Sequence, residues 1–283
     1  MFRRVWYHVS GWGGGRSEHR SSNDGLDALY GWHSVSGALA ARRRDLSRAR
    51  LLVRDGTSNA EQAVKAAASA GVPVESVGAG ALERAAGPDA VHQGVVLLAG
   101  QLPLIDVSPE ARGELVHLAS ALQAHASGPV AALALDRVVD PHNVGSLVRT
   151  AAFLGVSVLL LPDKETAPLS PVVSHVSTGA LESMAVFRLS AFVRTLTVLQ
   201  SDHSAELVVS TLADDSVDVA THHAAPGSIL VLGSEAKGVR APLASAAAAR
   251  VRIVPQPGAH GTHVQSLNVG VAGGILLHTL QSL

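Results

Sequence analysis

The sequence has no cysteine, few aromatic residues and almost no net charge. Among its 283 residues only 3% are aromatic, and the formal net charge is −1. The absence of cysteine excludes disulfides, iron–sulfur clusters and cysteine-based zinc sites. A near-neutral chain is not a uniformly basic RNA-binding protein, so any nucleic-acid surface must come from local clustering of its 22 lysines and arginines.

Long apolar runs are missing as well. The longest, residues 156–161, has the length of a β-strand and falls far short of the roughly 18 residues that span a bilayer. Apolar residues nevertheless make up 47% of the chain, and aliphatic side chains and alanine dominate them. This composition favours a layered α/β protein over an aromatic-rich β-sandwich.

The N-terminus is basic and poor in acids. Residues 1–23 hold four arginines and one glutamate, Glu18, and they contain no continuous apolar segment of the kind found in secretory signals. We expect residues 1–28 to be a mitochondrial transit peptide, which would place the protein in the mitochondrial matrix. The alternative is a disordered leader with no targeting role.

The remaining chain divides into two units joined by a connector. Residues 29–100 have the pattern of a small α/β unit, and residues 101–128 that of a linker with a helical stretch near 111–123. Over residues 129–283, apolar strands alternate regularly with helices. Such alternation predicts a parallel sheet covered by helices on both faces, with a ligand site at the carboxyl ends of its strands.

The first polar motif follows the predicted strand of residues 130–135. Asn143, Ser146 and Arg149 recur every three residues beside an apolar helical stripe, where a strand passes into a helix. This position at a strand end favours a functional site. The alternative is an asparagine that caps the helix and an arginine that is only solvated.

The second motif is a glycine-rich turn. The predicted strand of residues 229–232 leads directly into Gly233, Glu235 and Gly238. Glycines allow a ligand to approach the backbone closely, here beside a carboxylate. The alternative is an ordinary turn with an exposed glutamate. The spacing differs from the G-x-G-x-x-G and P-loop patterns, which disfavours a different cofactor enzyme on a doubly wound sheet.

The third motif lies at the start of the last predicted helix, residues 266–280. Ser266 is expected to cap this helix, which places Asn268 in its first turn. The first turn of a helix offers free N–H groups and a partial positive charge. The predicted strand before it, residues 251–254, ends on Ile253 and Val254.

In this collinear order the motifs resemble those of the SpoU (TrmH-type) family of the SPOUT methyltransferase superfamily. The matching residues are Asn143-x-Gly145-x-x-x-Arg149, Gly233-Ser234-Glu235-x-x-Gly238 and Ser266-Leu267-Asn268-Val269. His92-Gln93-Gly94-Val95 closes a region similar to the family's small substrate-binding domain. Residues 266–278 are most similar to mitochondrial large-subunit rRNA guanosine 2′-O-methyltransferases.

The resemblance implies an α/β fold, with a trefoil-knotted SPOUT domain at the C-terminus and a ribosomal-protein-L30-like substrate-binding domain before it. It implies an enzyme that transfers the methyl group of S-adenosylmethionine to a ribose 2′-hydroxyl of rRNA. This enzyme would be a homodimer, with no metal and no membrane partner. The alternatives are a tRNA 2′-O-methyltransferase and a catalytically silent RNA-binding ribosome-assembly factor with the same fold.

The resemblance also assigns roles to residues. The implied catalytic residues are Asn143, Arg149, Glu235, Ser266 and Asn268. The implied cofactor-binding residues are Gly233, Ile253, Val254 and Leu267. Arg149 would activate the 2′-hydroxyl, but an arginine keeps its proton up to a pH of about 12. A phosphate clamp that orients the hydroxyl is therefore the alternative to a general base.

Two further features concern RNA and the family pattern. Arg42, Arg43 and Arg44 form the densest basic cluster of the chain and are predicted to contact RNA phosphates. Ala236 replaces a residue that is usually glycine in the family. The loop of residues 256–265 is longer than in bacterial relatives; its His260 and His263 are interpreted as loop residues rather than ligands.

Overall fold

The computed structural model describes residues 25–124, 128–255 and 266–282. Most of the predicted leader and the loop of residues 256–265, with His260 and His263, lie outside the described residues. The predicted trefoil knot depends on the path of that loop and so stays a prediction. Within the described ranges no helix is long and apolar enough to cross a membrane.

The small unit is a four-stranded sheet with helices on both faces. Its elements are β1 (Asp27–Tyr30), α1 (Trp32–Ala41), β2 (Arg50–Val53), α2 (Ala60–Ala70), β3 (Val74–Ser76), α3 (Ala79–Ala86) and β4 (Val95–Ala99). The strand order is β1-β4-β2-β3. Because side chains alternate along β2, Leu51 and Val53 pack with α1 and α2, whereas Leu52 packs with Leu82 of α3.

The large unit is an eight-stranded sheet in which every pairing is parallel. Its strands are β5 (Ile105–Val107), β6 (Val130–Asp136), β7 (Val158–Pro162), β8 (Ala185–Leu189), β9 (Leu207–Ser210), β10 (Val217–Asp218), β11 (Ser228–Gly233) and β12 (Ala249–Arg252). Its helices are α4 (Arg112–Ala124), α5 (Pro141–Phe153), α6 (Pro171–Val176), α7 (Phe192–His203), α8 (Ala241–Ala246) and α9 (Val269–Ser282). The strand order is β10-β12-β9-β11-β6-β7-β8-β5.

The core lies on both faces of this sheet. One layer contains Leu147 of α5 and Leu276 of α9, and the other contains Leu118 of α4 and Leu196 of α7. Strand β6 is buried along its whole length, as expected for a near-continuous aliphatic strand between two helical layers. The predicted α/β architecture is confirmed.

The sequence predicted a linker at residues 101–128. The structure shows regular elements there that pack on the large unit. Its strand β5 pairs in parallel with β8 at the sheet edge. Its helix α4 buries Leu115, Leu118 and Leu122 against the sheet. The three leucines recur at helical spacing and therefore form an apolar face that requires a partner. Residues 101–124 therefore belong structurally to the large unit.

The predicted basic cluster lies at the junction of the two units. Arg44 is buried and donates from Nε to Glu182 Oε2 at 2.7 Å and from Nη1 to Asp27 Oδ2 at 2.7 Å. Burial would lower the pKa of the Arg44 guanidinium, but the bonds to both carboxylates outweigh it and raise that pKa. Because its donors are already paired inside the protein, the prediction that Arg44 contacts RNA is wrong.

The other two arginines of the cluster differ in exposure. Arg43 is half-buried and its Nη1 donates to the Met184 carbonyl, so it too faces the junction. Arg42 is exposed and donates to the Ser69 carbonyl of its own unit. Among the three, only Arg42 remains a candidate for RNA contact.

Candidate active site

Three distant stretches of chain meet at the carboxyl ends of β6 and β11. Asn143 lies in the first turn of α5, Glu235 in the turn after β11, and Asn268 directly before α9. Glu235 Oε1 accepts hydrogen bonds from Asn268 Nδ2 at 2.6 Å, Asn143 Nδ2 at 3.3 Å and the Val269 N–H at 3.2 Å. Asn268 Nδ2 also lies 3.0 Å from Asn143 Oδ1. Three of the five predicted catalytic residues therefore share one hydrogen-bonded cluster.

Asn143 is available for this cluster because another residue caps α5. The Asp140 side chain accepts from the His142 N–H at 3.0 Å, and Pro141 occupies the first helical position. The alternative interpretation of Asn143 as a helix cap is therefore wrong.

Asn268 has two roles at the start of α9. Its Oδ1 accepts from the N–H groups of Gly270 at 2.9 Å and Val271 at 3.3 Å, which is the geometry of an N-cap. The prediction that Ser266 caps this helix is wrong, because the helix begins three residues later, at Val269. Asn268 thus uses its oxygen for the helix and its amide for Glu235.

The turn that carries Glu235 requires glycine at both ends. A Cβ on Gly233 would overlap the backbone of Gly238 and Val239, and Gly238 has φ +61°. The Gly238 N–H donates to the Ser234 carbonyl at 2.8 Å and closes the turn. Ala236 is exposed and has no positive φ, so alanine fits this position.

Small residues bring α9 close to α5. A Cβ on Gly273 would overlap Leu147 and Leu232, and one on Gly270 would lie 3.3 Å from Ser146 Oγ. This close packing sets the distance between Asn268, before α9, and Asn143, in α5.

Arg149 lies apart from the hydrogen-bonded cluster. It is exposed on α5, six residues beyond Asn143, which is about 9 Å along the helix axis. Among the described residues, its guanidinium donates no hydrogen bond and forms no ion pair. Ser266 is also exposed. Both side chains are thus exposed within the part of the chain that the structure describes.

The predicted cofactor residues lie at the ends of β11 and β12 and before α9. Ile253 packs partly against the core, whereas Val254 and Leu267 remain 42% and 43% exposed. Two half-exposed aliphatic side chains offer apolar surface suited to an adenine ring. Gly233 differs from them, because its missing side chain makes room for the backbone of Gly238 and Val239 rather than for a ligand.

Two residues that support this site were not singled out from the sequence. Asp136, at the end of β6, is fully buried and accepts the Arg240 N–H at 2.7 Å. The neighbouring Arg137 donates from Nη2 to the Gly238 carbonyl at 3.2 Å and supports the turn. A charged pair directly after a buried aliphatic strand was the available signal, because such strand ends form ligand sites.

Comparison with known proteins identifies the class and then the family. The SpoU rRNA Methylase family model matches residues 131–278, and the model for RNA 2′-O ribose methyltransferase substrate binding matches residues 28–104. The fold and the site thus define a SPOUT methyltransferase. The chain belongs to the SpoU rRNA methylase family and is an S-adenosylmethionine-dependent RNA methyltransferase.

Individual relatives agree over most of the chain. The 23S rRNA (guanosine-2′-O-)-methyltransferase RlmB of Pseudomonas putida is 31% identical over 253 residues, which are 89% of this chain and 94% of that protein. RlmB of Acinetobacter baylyi is 28% identical, and the match covers 88% of this chain and 94% of that protein. An AdoMet-bound rRNA methyltransferase from Sinorhizobium meliloti has the same fold, with a TM-score of 0.66 and 23% identity. The match covers 91% of this chain and 87% of that protein. AviRb from Streptomyces viridochromogenes, in complex with AdoMet, has a TM-score of 0.67 and is 18% identical. The match covers 91% of this chain and 90% of that protein.

Proposed function

We propose that this enzyme methylates the ribose 2′-hydroxyl of a guanosine in large-subunit rRNA. The observation that carries the proposal is the hydrogen-bonded cluster of Asn143, Glu235 and Asn268. Asn143 shares helix α5 with Arg149, whose guanidinium has no partner among the described residues. The RlmB relatives, named for 23S rRNA guanosine, support the choice of nucleotide and RNA.

The protein's part in the reaction is to place the nucleotide and manage one proton. When bound, S-adenosylmethionine supplies a methyl group on a sulfonium, which is already a good leaving group. Arg149 holds the phosphate beside the reacting ribose with its guanidinium and so orients the 2′-hydroxyl. The proton of that hydroxyl passes to the phosphate, because the arginine already carries its own proton. Glu235 Oε1 is occupied by three donors, while Oε2 has no partner within the described ranges and can accept a hydrogen bond from the nucleotide or Arg149.

The variant Arg149→Ala tests this mechanism. We expect kcat for methyl transfer to fall at least about a hundredfold, since a positioned catalytic group contributes that much. The dissociation constant for S-adenosylmethionine, measured by calorimetry, should change less than about twofold, because Arg149 contacts RNA rather than cofactor. Arg112→Ala, an exposed arginine on α4, is the control. Retained turnover in Arg149→Ala would remove the mechanism.

We also propose a homodimer. Phe153 on α5 is 88% exposed, and Val271 and Ile275 on α9 are 53% and 39% exposed. The two helices pack together, so these apolar side chains belong to one helical layer. Exposed apolar surface of this kind is typical of subunit interfaces.

We further propose a mitochondrial enzyme whose target is the mitochondrial large-subunit rRNA. The support is the arginine-rich, acid-poor composition of residues 1–23. Mapping ribose methylation in rRNA and tRNA from cells that lack the protein tests the target. Loss of a methyl group from tRNA alone would redirect the proposal to tRNA, and no loss at all would favour a silent assembly factor. A fluorescent fusion to residues 1–28 tests the location.

A further inference from the structure

A cavity of about 440 Å³ lies at the carboxyl ends of β7 and β8. Asp163, Lys164 and Glu165 line it from the loop after β7, Arg194 from the first turn of α7, and Arg240 from the chain after the glycine-rich turn. The β7 loop also contacts the loop that precedes α5, since the Ala167 N–H donates to the Val138 carbonyl at 3.2 Å. The cavity therefore adjoins the elements that carry the candidate active site.

Arg240 connects a buried carboxylate to an exposed one across this cavity. Its Nη1 lies 3.1 Å from Oδ1 of the fully buried Asp136, and its Nη2 lies 2.5 Å from Glu165 Oε2. Asp136 fixes the guanidinium, whereas the Glu165 side chain is 61% exposed and has no other ion-pair partner in the described part of the chain. The bond from Arg240, with further attraction from Arg137 and Lys237, lowers the pKa of the Glu165 carboxyl.

The surroundings of Glu165 combine basic side chains with the acidic Asp163, which lines the same cavity. Arg137, Lys237 and Arg240 all act on its carboxylate. Lys164 is exposed, and among the described residues no carboxylate lies within ion-pair distance of its ammonium. A cation without a partner beside a cavity is available to an anionic ligand.

Backbone strain is concentrated at the same place. Three residues here have positive φ values, which residues other than glycine rarely adopt. They are Arg137 at +62°, Glu165 at +58° and Ala191 at +44°. Glu165 and Ala191 line the cavity, and Arg137 adjoins it through Glu165. Such conformations cost free energy and cluster at ligand-binding and active sites.

We propose that this cavity binds a backbone phosphate of the RNA strand next to the methylated nucleotide, and that Glu165 occupies Arg240 until RNA displaces it. A carboxylate and a phosphate present oxygens to a guanidinium in the same bidentate way. Lys164 then becomes the second cation on the phosphate. Phosphate contacts fix the position of the strand without reading its sequence, so this site places the ribose rather than selecting the base. The inference rests on the proposed function, because it requires an RNA substrate.

Two variants change the proposed contact in opposite directions. Glu165→Gln removes the competing charge and is expected to tighten RNA binding several-fold. Lys164→Ala removes one phosphate contact; it is expected to weaken binding several-fold and to reduce the slope of log K against log salt by about 1. The probe is an in vitro transcript of the large-subunit rRNA, with dissociation constants measured by fluorescence anisotropy at several salt concentrations. The KM for this RNA should shift in the same directions, with the affinity for S-adenosylmethionine unchanged.

The matched controls are the two members of another ion pair, which joins β12 to the turn before β10. Arg250 and Asp215 lie 2.6 Å apart with side-chain exposures of 37% and 56%, near the opposite edge at β12. Arg250→Ala and Asp215→Asn make the same charge changes and are expected to leave RNA binding unaltered. The inference is overturned if Lys164→Ala and Glu165→Gln bind RNA as their controls do. A wild-type protein that binds RNA but transfers no methyl group would count against the proposed function instead.

Discussion

The side-chain amide of Asn268 donates to the Glu235 carboxylate at 2.6 Å while its oxygen caps α9. The two residues are 33 positions apart, so one side chain couples the start of the last helix to the glycine-rich turn. Because both functional groups of the amide are used, neither a carboxylate nor a hydroxyl can replace it fully. This relationship yields the first prediction.

Asn268→Asp should separate the two roles of the residue. Aspartate keeps the capping oxygen and suits the positive end of a helix, so the melting temperature should stay near that of the wild type. It loses the donor to Glu235 and sets a second carboxylate beside it, which repels. We expect kcat to fall at least about tenfold. Asn268→Ser, which caps without the added charge, is the control and should lose less; full activity of the aspartate variant would contradict the assigned role.

Gly273→Ala should disturb the packing of α9 on α5. The added methyl group would overlap Leu147 and Leu232, and overpacking a core costs about 1–3 kcal/mol of unfolding free energy. Since this packing also sets the position of Asn268, kcat should fall as well. Gly113→Ala on α4 is the matched control, because nothing lies within 4 Å of its Cβ position; it should stabilise the protein by up to about 1 kcal/mol. Urea unfolding measures both, and equal effects would refute the packing argument.

Glu182→Ala should strongly destabilise the junction of the two units. Glu182 is buried and accepts from Arg44 at 2.7 Å and from Ser174 at 2.8 Å, so its removal leaves a buried charge short of a partner. Breaking a buried pair costs about 3–5 kcal/mol. Glu61→Ala is the control, because it removes an ion pair of similar length, 2.5 Å to Lys65, that lies on the surface. Its loss should lower the free energy of unfolding by less than about 1 kcal/mol. Urea unfolding that gave the same loss for both variants would show that burial does not decide the effect.

The same junction predicts a dependence of stability on pH. Burial raises the pKa of the Asp27 carboxyl above its ordinary value of 3.8, although Arg44 donates to it. The folded protein therefore holds this proton more tightly than the unfolded chain. The stability that Asp27 contributes is present below 3.8 and is lost as pH rises through the folded pKa. Asp27→Asn, which cannot titrate, should flatten the unfolding free energy measured from about pH 4 upward; an unchanged slope would contradict this assignment.

Local patterns predicted the central elements well, and contacts between distant residues account for the errors. The predicted strands 130–135 and 229–232 lie within β6 and β11, because continuous aliphatic runs between breakers define buried parallel strands. Helix α7 was missed, although Phe192, Leu196 and Leu199 are spaced as a helical face, since Thr195 interrupts the apolar stripe.

The site shows the same division. Asn143, Glu235 and Asn268 were predicted together only through their resemblance to a family, because their spacing along the chain holds no information on their contact. Arg44 was assigned to RNA on local charge density, yet its partner Glu182 lies 138 residues away and buries it. Burial of a charge depends on such long-range pairing, which a single sequence does not reveal.

Phe153→Asp should dissociate the proposed dimer. Phe153 is 88% exposed on α5, and a charge at an apolar interface is desolvated without a partner, so association should weaken strongly. Leu212→Asp is the matched control, because Leu212 is also an exposed apolar residue, at 63%, but lies between β9 and β10, away from α5 and α9. Light scattering coupled to size-exclusion chromatography should give the mass of two chains for the wild type and Leu212→Asp, and of one chain for Phe153→Asp. A monomeric wild type would contradict the proposed dimer. A dimer that survives the Phe153 change would place the apolar surface of α5 and α9 outside the subunit interface.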